Sequence, residues 1–447
     1  MKETIAAIAT APGNGGVGMI RISGPEGISV LETLWEGEVR PTSFESRRIY
    51  VGRIAFDQVL AFVMKAPSSY TGEDVVEIQA HGGRRGLELL LETLLKAGAG
   101  RLRMANPGEF TQRAFVNGRI DLAQAEAVAD LISASSEQAV TLAGRQLEGR
   151  LSEYVGKLRN EIKVMRAQME AMIDFPEDED VQGLRYEEVL ERLQSLETRI
   201  RSLLTTYEEG RYLREGIRVA LVGKPNVGKS SLFNALLNDD RSIVHSTPGT
   251  TRDTVEEVLD FSGLSVRFID TAGIREGRDA IEGEGIQRSQ RKIDQSDLIL
   301  FIFDVSRPWE EADERIRTLT TARRTVLVAN KSDLPPAFDP LFPAVRVSAK
   351  TGQGLAELKE AIRRPYLGRE SRVQDPGVTL SNLRHRVALE KGLEALDCVA
   401  EGAREKRSLE MLAADLSLAM NRLGEITGEV TNDEILGEIF SKFCIGK

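Results

Sequence analysis

The sequence predicts a multidomain chain of mixed class, in which a parallel α/β domain is inserted into an all-α helical domain and an α+β domain precedes both. Three observations carry this. At 447 residues the chain exceeds the size at which one hydrophobic core stops growing, and ~150 residues per domain gives about three domains. Between Ile217 and Val347 short apolar strands alternate with helical stretches, the βα texture of a parallel sheet. On both sides of that block the texture is helical, and two helical arms flanking an insertion can pack as one bundle.

Residues 1–118 mix β-like runs at Thr4–Thr10, Met19–Ser23 and Val75–Ala80 with a helix from about Gly86 to Ala97. There Leu87, Leu90, Leu91, Leu94 and Leu95 recur at helical spacing before Gly98. From Asp121 to about Asp174 the pattern is helical almost without interruption, closing at Phe175-Pro176 and the acidic run Glu177 to Asp180. A further helix runs from Tyr186 to about Tyr207. Strands follow at Ile217–Val222, Val266–Ile269, Leu298–Asp304, Thr325–Ala329 and Ala344–Val347, ending near Tyr366. Helices resume from Leu380 to Phe443, with a capped start at Thr431-Asn432-Asp433-Glu434. The expected domains are 1–118, 119–215, 216–373 and 374–447, the second and fourth being two parts of the helical domain.

Hydrophobic residues at 41% and charged residues at 29% describe a soluble globular chain, not a disordered one. The two cysteines, Cys398 and Cys444, have no CxxC spacing, so a disulfide framework and a zinc knuckle are excluded and a reducing cytoplasm is expected. Cys398, within a helix, is expected in the core. The apolar start Ile5 to Ala9 is charged at Glu3 and cut by Pro12-Gly13, which argues against an export signal. No apolar stretch approaches the ~18 residues of a membrane span. The net charge of −10 argues against a surface that is basic throughout and binds nucleic acid by itself.

Gly223-Lys224-Pro225-Asn226-Val227-Gly228-Lys229-Ser230 is GxxxxGK[ST], placed after a strand and opening a helix at Ser231. Its backbone N–H groups can wrap phosphate oxygens, Lys229 would bridge β- and γ-phosphates, and Ser230 would ligate Mg²⁺. Asp270-Thr271-Ala272-Gly273 ends a later strand, so Asp270 can hold the metal's water shell and the Gly273 amide can sense a γ-phosphate. Thr251 is the natural second hydroxyl for Mg²⁺. In Asn330-Lys331-Ser332-Asp333 the Asp333 carboxylate can accept from guanine N1–H and NH₂. Adenine would leave it unpaired, a mismatch of the kind that discriminates by ~10⁴-fold. Ser348-Ala349-Lys350 fits a loop covering the base. Together these motifs predict a P-loop GTPase domain.

Ile274 stands where Ras-like proteins carry the Gln that orients water. Glu282, in a loop rich in Gly and charge, is the candidate to place the water; its plain alternative is a solvated surface carboxylate. Asn226 could offer its amide oxygen to a monovalent cation, and the segment His245-Ser246-Thr247-Pro248-Gly249-Thr250 could add backbone carbonyls. A K⁺ there would put positive charge beside the β–γ bridge, a task worth ~10³ to 10⁵ in rate when an arginine performs it.

These residues, with Thr247 to Asp253, the N-terminal stretch Gly13-Asn14-Gly15-Gly16-Val17-Gly18 to Ser23 and the terminal Phe443-Cys444-Ile445-Gly446-Lys447, resemble the family of bacterial tRNA modification GTPases called MnmE or TrmE, over essentially the whole chain. The resemblance implies an N-terminal tetrahydrofolate-binding domain that makes a homodimer, a helical domain, and a G domain that dimerises with K⁺ and GTP. It further implies an FAD-dependent partner, MnmG (GidA), and addition of an aminomethyl or carboxymethylaminomethyl group to the wobble uridine of certain tRNAs. A 5-formyl- or methylene-tetrahydrofolate would supply the one-carbon unit. By motif position the resemblance makes Asn226, His245, Thr247 and Thr250 the K⁺ ligands and Glu282 the water-orienting residue. It places folate contacts on Arg21, Glu77, Arg119 and Lys447. Each of these four, taken alone, reads as a surface charge; only the resemblance makes it a folate contact. Cys444 is either a reactive thiol near the one-carbon chemistry or a small apolar residue beside Phe443.

Gly13-x-Gly15-x-x-Gly18 has dinucleotide-fingerprint spacing but leads into a strand, so it is read as a glycine-rich turn. A second function class, a ribosome-assembly or signalling switch with effector-binding flanks, would require a KH-type segment after the G domain, where Leu380 to Lys447 reads as helices. Segments 119–215 and 374–447 carry −7 and −4, against 0 and +1 for the other two. So acidic a helical body points to a partner that supplies the basic surface for RNA.

Overall fold

The structure is a computed structural model that describes residues 3–175, 185–239, 257–269, 294–321, 323–367 and 377–447. Its residues group into two compact units, one of Met1–Ala129, Gln146–Arg185 and Glu394–Lys447, the other of Asp130–Arg145 and Tyr186–Leu393.

The first unit is organised by a seven-stranded sheet made of β1 (Thr4–Ile8), β2 (Val17–Ser23), β3 (Trp35–Glu36), β4 (Tyr50–Ile54), β5 (Asp57–Met64), β6 (Val75–His81) and β7 (Leu102–Met104), in the order β3-β4-β5-β6-β2-β1-β7. Only β1 and β7 pair in parallel. Alternation sets the faces: Val59, Ala61 and Val63 of β5 are buried while Leu60 between them is exposed. The buried face, with Ile20, Ile22 and Ile78, packs with Leu87, Leu90, Leu91 and Leu94 of α2 (Arg84–Ala97) and with Val30 and Leu31 of α1 (Gly27–Leu34). Each such side chain contributes ~1.5–3 kcal/mol. On the opposite face Ile5 and Ala7 cluster with Phe110 of α3 (Glu109–Val116).

Strands β3, β4, β5 and β7 were not among the expected elements; they are short or have one open face, which dilutes the apolar signal. The stretch Gly13 to Gly18 leads into β2, as the turn reading requires. The expected run of helix from Asp121 to Asp174 is three helices, α4 (Leu122–Ser133), α5 (Glu137–Leu147) and α6 (Arg150–Asp174). Ser136 Oγ accepts from the Ala139 amide, a start signal for α5, and Gly149 adopts a left-handed φ of 87° before α6. In the second unit the expected helix from Tyr186 to Tyr207 is α7 (Tyr186–Leu204) and α8 (Tyr207–Glu215). Thr205 and Thr206 bond back to carbonyls of Ser202 and Leu203 at the break, and Thr206 also accepts from the Leu380 amide.

The second unit holds a six-stranded sheet of β8 (Ile217–Val222), β9 (Glu257–Phe261), β10 (Leu264–Phe268), β11 (Leu298–Asp304), β12 (Thr325–Asn330) and β13 (Val345–Arg346), ordered β13-β12-β11-β8-β10-β9. It is parallel except for β9 at the edge. All seven residues of β11 are buried, as a central strand covered on both faces must be. Helices α9 (Lys229–Asp239), α10 (Glu311–Thr320) and α11 (Leu355–Arg363) belong to it, and Phe233, Leu236, Leu358 and Ile362 enter the core with Val219, Val266 and Leu300. The chain leaves β8 for β10 on one side and β11 on the other. Such a reversal opens a crevice at the carboxyl ends of the strands.

The later helices are α12 (Leu383–Arg404), α13 (Leu409–Thr427) and α14 (Asp433–Ser441). Within the first unit α13 lies along α6, where Arg159 donates to the Met420 carbonyl and pairs with Glu429. Asn432 caps α14 by accepting from the Ile435 amide at 2.9 Å. Cys398 is exposed, which corrects the expectation of a core position: Leu396, Val399, Ala400 and Ala403 take the buried side of α12 and leave Cys398 outward. Among the described residues no helix is long and apolar enough to cross a membrane.

Candidate nucleotide site and a second polar cluster

The loop after β8 is shaped by its contacts with the end of β12. Gly228 has φ 95°, and a Cβ there would fall 2.3 Å from Asn330 Nδ2, so both conformation and space demand glycine. Asn330 itself is 1% exposed; its Nδ2 donates to the Val227 carbonyl at 2.9 Å, and its Oδ1 accepts from the Ala349 amide at 3.2 Å. One buried amide thus ties the phosphate loop to the segment Ser348-Ala349-Lys350. Lys229 Nζ folds back over the loop onto the carbonyls of Gly223 and Lys224 at 3.0 and 2.8 Å. Ser230 and Ser231 follow it in the first turn of α9, whose leading amides have no partner inside the helix and suit an anion.

Asp333 Oδ1 accepts from Ser348 Oγ at 2.7 Å. That hydrogen bond, together with the Lys350 and Lys331 charges, holds the Asp333 carboxyl below its ordinary value, so it is ionised and able to accept. Lys331 Nζ donates to the Asn226 carbonyl at 3.0 Å and to Asp304 Oδ2 at 2.6 Å. Asn226 is exposed and left-handed, with φ 63°. On the outer side of the loop Lys224 Nζ binds Glu310 Oε2 and Asp313 Oδ2 at 2.9 and 2.6 Å. Burial lowers the Lys224 ammonium's pKa, but these two acids outweigh it and raise it above the ordinary value.

The structure therefore brings together Asn226, Val227, Gly228, Lys229, Ser230, Asn330, Lys331, Asp333, Ser348, Ala349 and Lys350. His245, Ser246, Thr247, Pro248, Gly249, Thr250, Thr251, Asp270, Thr271, Ala272, Gly273 and Glu282 lie outside the described residues. Asp304 and the Lys224–Glu310–Asp313 group were not singled out from sequence. The signal that could have found Asp304 is an acid closing an otherwise wholly apolar strand beside the crevice.

A second cluster lies in the first unit. Arg21 of β2 and Glu77 of β6 are register partners, joined Nε to Oε1 at 2.7 Å, with 14% and 10% of their side chains exposed. The guanidinium sits 5.6 Å from the Tyr70 ring and 5.8 Å from Phe110, and Nη1 reaches the Gly446 carbonyl at 3.5 Å. Burial, then the Arg21 charge, lowers the Lys447 ammonium, and Glu77 partly restores it. The chain end reaches this place because Phe110 N–H donates to the Lys447 carbonyl at 3.2 Å and because Gly446, at φ 99°, leaves room where a Cβ would lie 2.4 Å from the Ile8 carbonyl. Arg119 is exposed and packs on Gly72, two residues from Tyr70; no bond joins it to Arg21 or Glu77. Cys444 is exposed, which leaves a thiol accessible beside the cluster.

Behind this pair a buried network fixes α3. Ser23 Oγ meets Thr71 Oγ1 and Glu73 Oε2 at 2.7 and 2.9 Å, and Arg113 spans Glu73 and Glu109, each at 2.9 Å. Arg103 grips Glu109 with two further bonds of 2.8 and 2.7 Å. Burial pushes the Glu109 carboxyl up, but Arg103, the Asn106 amide and Arg113 together bring it down to about 2.

The sequence matches the family described as GTP-binding protein TrmE N-terminus over residues 4–119 and the one described as MnmE helical domain over residues 122–444. It is 44% identical to the tRNA modification GTPase MnmE of Geobacter sulfurreducens and 44% identical to that of Geobacter metallireducens, in both cases over 100% of each chain. It is 39% identical to that of Natranaerobius thermophilus over the same full spans.

Proposed function

The chain belongs to the MnmE (TrmE) family of tRNA modification GTPases, and from that membership we propose that it is a K⁺-stimulated GTP hydrolase acting with an FAD-dependent partner, MnmG (GidA). Together they would add a carboxymethylaminomethyl or aminomethyl group at C5 of the wobble uridine, U34, of certain tRNAs. The observation that carries the GTP reading is the Asn330–Asp333 segment. Asn330 locks the base loop to the phosphate loop, and Asp333, ionised and already oriented by Ser348, presents its carboxylate for guanine.

Hydrolysis on this chain would proceed with Lys229 leaving its loop carbonyls for the β- and γ-phosphates and Glu282 orienting the attacking water. Ser230 and Thr251 would hold Mg²⁺, with Asp270 acting through water, and the ion would neutralise charge on the β- and γ-oxygens. Asn226, His245, Thr247 and Thr250 would hold K⁺. Exposure of Asn226 beside Lys229 fits that role.

The cluster around Arg21 fits the chemistry of a tetrahydrofolate: Glu77 can accept from pterin N–H groups, while Arg21, Arg119 and Lys447 suit its carboxylates. A folate bound there would supply the one-carbon unit as its 5-formyl or methylene form, with Cys444 as a neighbouring thiol. A homodimer through residues 1–118 is supported by the open half of the sheet, where Val51 and Leu60 face each other across β4 and β5, both exposed. The domain limits 119–215, 216–373 and 374–447 and a cytoplasmic location complete the reading.

Turnover with GTP should collapse when Na⁺ replaces K⁺, and Glu282→Ala should bind GTP normally while losing hydrolysis. A Glu282→Ala enzyme at the wild-type rate would remove that residue from the mechanism. Wobble nucleosides of tRNA from cells lacking the protein, with and without complementation, test the modification itself.

A further inference from the structure

A buried carboxylate that no motif names stands at the GTP site. Asp304 closes β11 with 5% of its side chain exposed, and its register partner on β12 is Asn330. Its Oδ1 accepts from the amide and hydroxyl of Ser306 at 3.0 and 2.6 Å. Its Oδ2 accepts from Lys331 Nζ at 2.6 Å, and the same ammonium donates to the Asn226 carbonyl at 3.0 Å. Both ends of that second bond are unusual. Asn226 and Lys331 each have φ 63°, a left-handed conformation that side chains other than glycine adopt rarely and keep only where their surroundings over-determine it.

We propose that Asp304 is a positioning residue of the GTP site: by holding the Lys331 ammonium on the Asn226 carbonyl, it fastens the guanine-reading segment to the phosphate loop and keeps both left-handed residues in place. Its charge is what does this. Burial pushes the carboxyl up, but the Lys331 ammonium and the Ser306 hydrogen bonds outweigh burial and keep it ionised. Lys331 is 30% exposed, so without an anion beneath it the ammonium turns to water and releases Asn226. The outer side of the loop has its own anchor in Lys224 with Glu310 and Asp313, so loss of the Asp304 charge loosens the loop without unfolding it. The consequence for nucleotide affinity depends only on the GTP site. The consequence for K⁺ rests on the proposed role of Asn226 as its ligand.

The test compares full-length wild type, Asp304→Asn and Asp304→Glu. Affinities for GDP, GTP and IDP are measured by calorimetry, and kcat and KM for GTP across a K⁺ series. Asp304→Asn keeps the shape and the acceptor for Ser306 but not the charge. Its affinity for GDP and GTP should fall ~10-fold, as expected for a lost charge-assisted hydrogen bond. The GDP-to-IDP ratio should stay constant because Asp333 is untouched, and half-maximal K⁺ should rise several-fold. Asp304→Glu should recover to within ~3-fold of wild-type affinity, since it restores the anion at a longer reach. A merely structural role would lower the melting temperature and the active fraction but leave affinity and K⁺ midpoint of the folded enzyme unchanged, and that result overturns the proposal. If Asp304→Asn does not fold, Lys331→Met decides, because it removes the ammonium that Asp304 holds on the Asn226 carbonyl: the same fall in affinity is expected, and nucleotide affinity and K⁺ midpoint both equal to wild type would refute the proposal. If wild-type turnover is indifferent to K⁺, the cation role of Asn226 fails, and the GDP affinities alone decide on Asp304.

Discussion

The nucleotide site and the Arg21 cluster are both built of charged side chains held by short bonds, yet they are assembled in opposite ways. At the nucleotide site every described group follows the carboxyl end of a parallel strand: the phosphate loop after β8, Asp304 on β11, Asn330 to Asp333 at β12, Ser348 to Lys350 after β13. Topology does the gathering, and each strand needs only a few consecutive residues. In the Arg21 cluster the partners lie across antiparallel strands, Arg21 against Glu77, and further groups arrive from α3 and from the chain end. There convergence depends on long-range docking. The first arrangement is dominated by backbone geometry, the second by a network of charges.

The largest effect that would sharpen this contrast concerns Asp333. Asp333→Asn should lose GTP by ~10³ to 10⁴-fold and gain xanthosine triphosphate, whose 2-oxo group accepts where guanine's amino group donates. Competition during hydrolysis reads it. GTP turnover retained within tenfold would show that base reading is shared by other groups and that the site is less local than described. Next in size is Gly228→Ala, whose Cβ would collide with Asn330 Nδ2 at 2.3 Å. The clash should break the Asn330–Val227 bond and weaken GTP binding ~100-fold, the combined cost of backbone strain and a buried amide left unpaired. Gly83→Ala, at the start of α2 with open space where its Cβ would go, should change melting by little and GTP binding not at all. Equal effects of the two would contradict the claim that backbone geometry governs the nucleotide site.

The same contrast explains what could be read in the sequence. Gly228, Lys229, Asn330 and Asp333 were legible because each sits in a contiguous motif whose spacing follows from one strand end and one loop. β11 was legible because a strand covered on both faces is apolar throughout. Asp304 left only a faint trace, since a single acid after Phe303 looks like a strand terminus until Lys331 is seen bonded to it. Arg21 and Glu77 carry no local signal at all: they are 56 positions apart, and only the resemblance to a known family singled them out. Strands β4 and β5 were missed because Val51 and Leu60 lie on an open face, so burial alternates with exposure that is itself apolar. Membership of a helix does not by itself put Cys398 in the core: the buried stripe of α12 runs through Leu396, Val399, Ala400 and Ala403 and leaves Cys398 outside it.

On the side of the charge network, Arg21→Met removes the cation that Glu77, 10% exposed, is paired with. An uncompensated acid at such a site is costly, and under the proposed function a group that would hold the folate carboxylates is lost with it. Tetrahydrofolate binding by the full-length protein should weaken ~30-fold, on the order of a lost charged pair. GTP hydrolysis without folate should stay within about twofold, because the substitution touches no group of the nucleotide site. Unchanged folate affinity would mean that the Arg21–Glu77 pair only stabilises the sheet.

The smallest effect separates the two regions by pH. Glu109 is held at about 2 against an ordinary 4.5, by Arg103, Arg113 and the Asn106 amide. A carboxyl whose pKa is depressed on folding contributes stability that is fully present above its unfolded value and is lost as pH falls through the folded one. Here that contribution amounts to ~3 kcal/mol at neutral pH, fading between pH 4.5 and 2. Near-ultraviolet signals from Trp35, in the first unit, should therefore show acid unfolding that shifts to higher pH in Arg103→Met, because half of Glu109's grip is gone. In Glu109→Gln the same signal should be weaker in stability at neutral pH but flatter across that window, since position 109 no longer titrates. Trp309, in the second unit, should report neither change. A Glu109→Gln profile as steep as wild type would place the acid sensitivity outside Glu109, and would mean that the network behind Arg21 is held by packing around Phe110 more than by its charges.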